Sequence, residues 1–169
     1  YYIVSSFNGV DFENLKYERI WDESPLPIDN PENAFRVILG DFVTTEDGTG
    51  IVHTAPTFGA DDYKAAKSAK PEVPPLLVTD ENGNKVPLVD LKGKFIDDIG
   101  LISGKYVKNE YYEEDKMPEK SIDVEIAIKL KEKNLAFKVE RYSHSYPHCW
   151  RTDKPILYLS LIHISEPTR

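Results

Sequence analysis

The chain has 169 residues with 21 basic and 29 acidic side chains, a formal charge of −8, which excludes a basic protein that coats nucleic acid. At 40% apolar and 30% charged residues it has the composition of a soluble globular domain with a real core, not of a disordered tail or a disulfide-stapled miniprotein. Cys149 is the single cysteine, so no internal disulfide is possible, and a reducing compartment such as the cytosol is expected. The longest stretch without a formal charge, Gly48 to Ala60, has 13 residues, short of the ~18 apolar residues of a membrane span. The opening Tyr1-Tyr2-Ile3-Val4 has no initiator methionine, basic n-region or cleavage site, so no signal peptide is expected and the chain reads as cut from something longer.

In chain order, Trp21 to Glu32 is Pro- and charge-rich and predicts a loop. Phe35 to Thr45, rich in β-branched and aromatic residues, and Gly50 to Thr54 predict a hairpin turning on Asp47-Gly48. Asp61 to Lys70 predicts a helix, with acids at its start, lysines at its end and Pro71 closing it. Leu76 to Thr79 and Lys85 to Val89, joined through Asp80-Glu81-Asn82-Gly83-Asn84, predict a second hairpin with Pro87 on an edge or at a bulge. Lys108 to Lys120 predicts a loop. Ile122 to Lys133 predicts an amphipathic helix, with Ser121 as N-cap, Asn134 as left-handed terminator and Ile122, Ile126 and Leu130 on one face. There is no internal repeat, and the mixture without a β-α-β rhythm predicts α+β with a mostly antiparallel or barrel-like sheet.

Charge is uneven. Residues 1–63 hold 12 acids and 3 bases, whereas residues 64–169 hold 17 acids and 18 bases, so any polyanion contact is expected from the later part. The densest chemistry lies in Gly48-Thr49-Gly50-Ile51-Val52-His53-Thr54-Ala55-Pro56-Thr57-Phe58-Gly59-Ala60-Asp61-Asp62. Close glycines let a backbone approach a ligand, a histidine exchanges protons near neutral pH, and acids precede a helix. On residue chemistry alone the ordinary reading is a turn, a histidine satisfied by backbone and an N-cap aspartate.

That stretch, as Gly48-Thr49-Gly50-Ile51-Val52-His53 and Ala55-Pro56-x-Phe58-Gly59-x-Asp61-Asp62, resembles the signature of the editing domain inserted in isoleucyl-tRNA synthetases, which are class I aminoacyl-tRNA synthetases. About 90 residues later, His144-Ser145-Tyr146-Pro147-His148-Cys149-Trp150-Arg151-Thr152-Asp153-Lys154-Pro155 is similar to the segment by which that family returns to its ATP-binding catalytic fold. The valyl and leucyl relatives share the Gly-Thr-Gly turn but typically lack the histidine and Phe-Gly. The resemblance covers roughly residues 1–158 and implies a barrel-like, mostly antiparallel editing domain with a few surface helices over 1–142, and the return segment over 143–159.

The implied activity is hydrolysis of valine wrongly esterified to isoleucine tRNA. One methylene is worth only about 1–3 kcal/mol in an apolar pocket, a limit for which isoleucyl-tRNA synthetase is itself the standard example, so a second, smaller sieve must destroy the error. By position, Asp62 resembles the aspartate that binds the α-ammonium group of the ester, where a charge-assisted hydrogen bond orients the substrate. Asp61 has the competing role of helix N-cap. His53 resembles the histidine that limits side-chain volume and helps place the terminal adenosine, and Thr49, Gly50, Ile51, Val52, Ala55 and Phe58 would line the pocket. Backbone dipoles near Gly50 and Ile51 would orient the ester or a water, and no covalent nucleophile is required.

The sequence also departs from the family. The Thr-Thr-Pro-Trp-Thr type of segment that completes the pocket lies upstream of anything here, since Thr44-Thr45 is followed by Glu46-Asp47. HIGH-type and KMSKS-type motifs are absent, so no cofactor is expected in this fragment, with ATP and magnesium needed only by the full-length enzyme. His144, His148 and Cys149 offer three ligands where structural zinc takes four, with Thr152 where a Cys-x-x-Cys pair needs its second cysteine; no metal is expected. Lys138, Arg141, Tyr142 and the helix face with Lys129 and Lys133 are candidates for phosphate contact. Residues 160–169 resemble translated sequencing adapter and are expected to be non-native, leaving His163 without a role.

The expectation is thus a cytoplasmic, monomeric portion of an isoleucine-activating ligase, inactive alone, whose partners are the acceptor end of tRNA(Ile) and a valine ester. The alternatives are a non-catalytic RNA- or protein-binding module on the same scaffold and a metal-dependent hydrolase centred on His144, His148 and Cys149.

Overall fold

The structure, a computed structural model, describes residues 2–46, 49–140 and 145–159. The chain divides into two compact units. The first contains Leu26–Thr79 and the segment leading to Arg19; the second contains Ile20–Pro25 and Asp80–Leu157. The described regular elements are helix α1 (Ala60–Ser68), strands β1 (Leu77–Thr79) and β2 (Lys85–Pro87), helix α2 (Ile122–Glu132) and several short 3₁₀ turns.

In the first unit, the apolar run after Phe35 does not pair with the residues after Gly50. Instead, Lys16 bridges Arg36 in antiparallel sense, with Val37 N–H donating to Leu15 O and Tyr17 N–H to Phe35 O. A turn closed by Val43 N–H on Gly40 O interrupts the run, so its residues have no continuous ladder. The expected hairpin is therefore not formed as strands among the described residues, and its turn at Asp47-Gly48 lies outside them. β-Propensity is decided by which partner is available, and here that partner is some twenty residues earlier.

Arg36 knits this unit together. Its buried guanidinium donates to Asn33 O at 3.1 Å, to Asn14 Oδ1 at 2.5 Å and to the Pro71 carbonyl, three neutral oxygens from three separate loops. α1 buries Ala66 and stops at Ser68, earlier than the expected Lys70. Lys70 precedes Pro71, and the proline ring disfavours helical backbone in the residue before it.

The hairpin of β1 and β2 forms as expected and is a two-stranded, open sheet. Asp80 ties its loop, with Oδ1 accepting from Asn82 N–H at 2.9 Å and Asn84 N–H at 2.7 Å while Gly83 takes φ +83°. Ten residues on, Asp90 repeats the device, accepting from Lys92 N–H at 2.8 Å and Lys94 N–H at 2.9 Å with Gly93 at φ +77°. This recurring Asp-x-x-Gly-x turn is a small repeat that side-chain patterning does not reveal.

The second unit closes around buried Leu88, Val89, Ile99, Ile102 and Ile122. α2 begins after Ser121 as expected, though the serine hydroxyl makes no capping bond. Its end is a Schellman motif: Leu135 N–H reaches Leu130 O at 2.8 Å, Asn134 N–H reaches Lys131 O at 3.0 Å, and Asn134 has φ +56°. Two helices and one open sheet are compatible with an α+β class. The described residues form no closed, barrel-like sheet, and none of their helices is long and apolar enough to cross a membrane.

Candidate functional site

The Ala55-to-Asp62 segment is a wound loop feeding α1. Ala55 O accepts from both Phe58 N–H and Gly59 N–H, and Thr57, 2% exposed, donates its hydroxyl to Leu76 O at 3.3 Å. The helix N-cap is Gly59, not Asp61. Asp61 instead lies exposed one turn before Lys64, with which it pairs at 3.1 Å.

Asp62 turns the other way. Its Oδ2 accepts the Ala55 N–H at 2.9 Å, so the half-buried carboxylate folds back over the loop that precedes its own helix. A Cβ at Gly59 would lie 2.5 Å from that oxygen, and only glycine leaves room for it. The sequence signal was present in the Gly59-to-Asp62 spacing of three, which puts both residues on one side of the first helical turn.

The remaining expected site residues are presented by a more open stretch. Thr49 Oγ1 accepts from Ile51 N–H at 3.3 Å and donates to Ile51 O at 3.2 Å, a local turn, with Gly50 at φ +74°. Ile51 is 73% exposed, and Val52 and His53 are exposed as well. Gly48 lies outside the described residues. The structure thus brings Ala55, Gly59 and Asp62 together, whereas among the described residues no hydrogen bond or ion pair joins His53 to Asp62.

Two hollows lie in the same unit, of about 440 Å³ and about 190 Å³. Lys67 and Glu72, paired at 2.6 Å, line both, and the Glu72 carboxylate raises the pKa of Lys67. Pro56 and Tyr63 border the smaller one. Neither is lined by His53 or Asp62.

In the second unit, Cys149 sits in a tight turn, with Cys149 N–H donating to Lys154 O and Asp153 N–H to Cys149 O, both at 2.8 Å. The Thr152 hydroxyl, then the N–H groups of Arg151 and Thr152, hold the thiol pKa down. His148 Nδ1 is 3.9 Å from Asp153 Oδ1. Among the described residues no three His, Cys, Asp or Glu side chains gather as a metal-binding group; His144 lies outside them, as do Arg141, Tyr142 and residues 160–169.

The lysine face of α2 is already engaged. Lys129 pairs with Glu23 and lies 4.7 Å over the Trp21 ring, and Lys133 pairs with Asp22 at 2.8 Å. Lys138 pairs with Glu140 at 2.7 Å. Glu23 and Asp22 lie 106 and 111 residues from their lysines, so no local pattern announces them, whereas Lys138 and Glu140 are near neighbours in the chain.

No family model matches the chain. Among curated proteins it is 51% identical over 170 residues to an isoleucine–tRNA ligase of Cytophaga hutchinsonii, covering 94% of this chain and 15% of the relative. It is 46% identical over 178 residues to that of Porphyromonas gingivalis, with 95% and 15% covered, and 42% identical over 159 residues to that of Clostridium tetani, with 94% and 12% covered. The chain belongs to the isoleucine–tRNA ligase family. It spans about one-seventh of the length of these curated isoleucine–tRNA ligases. The resemblance carried by Gly50 to His53, Phe58-Gly59 and Asp61-Asp62 thus agrees with ligase relatives along nearly the whole chain.

Proposed function

We propose that this chain is the editing portion of an isoleucine–tRNA ligase and that, within the complete cytoplasmic ligase, it hydrolyses valine wrongly attached to isoleucine tRNA. The observation that carries the reading is the Asp62 carboxylate, half-buried and held at 2.9 Å by Ala55 N–H, two residues along the chain from His53. Oδ2 is occupied by that bond; Oδ1 is left to accept a charge-assisted hydrogen bond from the α-ammonium group of the ester. The cation, once fixed, sets the scissile carbonyl relative to the Thr49-to-Val52 turn, where the long Thr49 contact on Ile51 N–H is one that an ester oxygen would replace.

Water then attacks the carbonyl carbon, the bond to the ribose oxygen breaks, and the proton lost by water ends on that ribose oxygen, giving valine and free tRNA. An activated ester needs an oriented water more than a covalent nucleophile. His53 bounds the side-chain volume, so that valine enters and isoleucine does not. The barrel-like sheet, the threonine-rich part of the pocket and the ATP- and magnesium-dependent ligation are assigned to the complete ligase, which acts as a monomer on tRNA(Ile).

Deacylation of Val-tRNA by the complete ligase carrying this sequence tests the proposal. Asp62→Ala should abolish it while leaving isoleucine activation in place, and full deacylation by that variant would overturn the reading. A second reading, a non-catalytic RNA-binding module, draws on the absence of Asp62 and His53 from the two hollows. Tight binding of an acceptor-end mimic with no hydrolysis by the unsubstituted ligase would favour it.

A further inference from the structure

Thr57 is withdrawn from solvent as completely as Ile99 of the other unit. A buried hydroxyl needs a partner, and this one reaches out of its own loop. It donates to Leu76 O, 19 residues on and immediately before β1. The loop's remaining hydrogen bonds are short-range: Phe58 N–H and Gly59 N–H return to Ala55 O, Tyr63 N–H takes Gly59 O, and Ala55 N–H goes to Asp62 Oδ2. Among the described residues, the Thr57 hydroxyl is thus the group that ties residues 55–59 by a hydrogen bond to a part of the chain other than α1.

Packing does not duplicate that tie. Beside it lies the hollow of about 190 Å³, bordered by Pro56, Tyr63 and Ala66 on the loop and helix side and by Val73 and Pro75 on the side that leads to Leu76. Groups that face each other across a void lose the contacts that would set their separation. Pro56 and Pro75 flank the bonded pair in the chain, and neither has an N–H with which to add a second backbone bond. The hydroxyl therefore sets the distance between the loop and its support.

We infer that Thr57 is a positioning residue for the Asp62 carboxylate. The anchored turn fixes Ala55, Ala55 N–H fixes Asp62 Oδ2, and the place where Oδ1 meets a cation follows. Position 57 is unspecified in the Ala55-Pro56-x-Phe58-Gly59 pattern, so the resemblance implies no such role. The effect on hydrolysis rests on the editing reading; the effect on Ala55 and Asp62 does not.

The test pairs Thr57→Val, which keeps the shape and drops the hydroxyl, with Thr57→Ser, which does the reverse. In the complete ligase carrying this sequence, Thr57→Val should lower kcat for Val-tRNA deacylation about tenfold with little change in KM, because the carboxylate remains and only its aim is lost. Thr57→Ser should stay within about twofold of the unsubstituted ligase, although both variants lower the melting temperature. In the full chain, the Ala55 amide should exchange with solvent about tenfold faster in Thr57→Val and at the unsubstituted rate in Thr57→Ser. Undiminished deacylation by Thr57→Val, a loss in Thr57→Ser as deep as that in Thr57→Val, or Ala55 exchange unmoved by Thr57→Val would overturn the inference. Failure of the editing reading has a different signature, full deacylation by Asp62→Ala or none by the unsubstituted ligase, and the Ala55 amide then still decides whether the hydroxyl places the carboxylate.

Discussion

Asp62 accepts a hydrogen bond from the backbone N–H of Ala55, seven residues earlier, at 2.9 Å. One side chain therefore has two duties, closing the loop that enters α1 and offering a carboxylate to a ligand. The duties are separable by substitution. Asp62→Asn retains an acceptor oxygen for Ala55 and should melt close to the unsubstituted chain, yet lose about a hundredfold in Val-tRNA deacylation by the complete ligase. Asp62→Ala should lose both, at a further cost in stability of about 2 kcal/mol. Urea unfolding of the two variants beside their deacylation rates reads out the difference.

Gly59 has ordinary backbone angles, φ −98° and ψ 131°, so its role is space. Gly59→Ala places a methyl 2.5 Å from Asp62 Oδ2 and should cost about 1–3 kcal/mol through overpacking. In the double variant Gly59→Ala with Asp62→Ala the carboxylate is gone and only the Cβ of residue 62, 3.0 Å away, still presses on the new methyl, so the two losses should fall short of additive in a denaturation cycle.

Arg36→Met keeps bulk but strands Asn14 Oδ1, Asn33 O and the Pro71 carbonyl. With about 1–3 kcal/mol for a buried acceptor left unpaired, an overall loss of about 3 kcal/mol is expected in urea unfolding. Arg36→Lys should recover only part of it, since an ammonium cannot reproduce the planar fork.

The backbone N–H of Asn84 and then its side-chain amide hold the Asp80 carboxyl below the usual carboxylate range. A pKa lowered on folding means stabilisation that is present above the unfolded value and lost as pH falls through the folded one. The Asn82 and Asn84 amide resonances should therefore shift with an acid midpoint below that of aspartate in an unstructured peptide. A midpoint equal to the peptide's would contradict the loop geometry.

Asn134 sits at φ +56° at the end of α2. Asn134→Gly should leave thermal stability equal or raise it by up to about 1 kcal/mol, and Asn134→Val should lower it by at least about 1 kcal/mol, since a branched Cβ is strained in the left-handed region.

What could be read in advance was local. Ser121, the spacing of Ile122, Ile126 and Leu130, and Asn134 lie within one stretch of chain and placed α2 within a residue of its observed end; Asp80 and Gly83 likewise marked the second hairpin. The pairing of Phe35–Val37 with Asn14–Tyr17 was not legible, because Asn14 and Lys16 carry little strand propensity while β-branched Ile51, Val52 and Thr54 marked the nearer segment, which did not pair. The same holds for Lys129 and Glu23, which are 106 residues apart. At the candidate site the residue types were visible, but Asp61 and Asp62 differ only in orientation, and that is set by the missing side chain of Gly59.

The excursion of Ile20–Pro25 has a practical result. These six residues leave the first unit and lend Glu23 to Lys129 and to the Leu101 N–H, and Asp22 to Lys133. Severing the polypeptide at Asp80 would thus strand a donor, two cations and the indole-covered end of α2 on a piece deprived of its counterparts. The polypeptide is interleaved, and neither half is a cassette that a single scission would release intact.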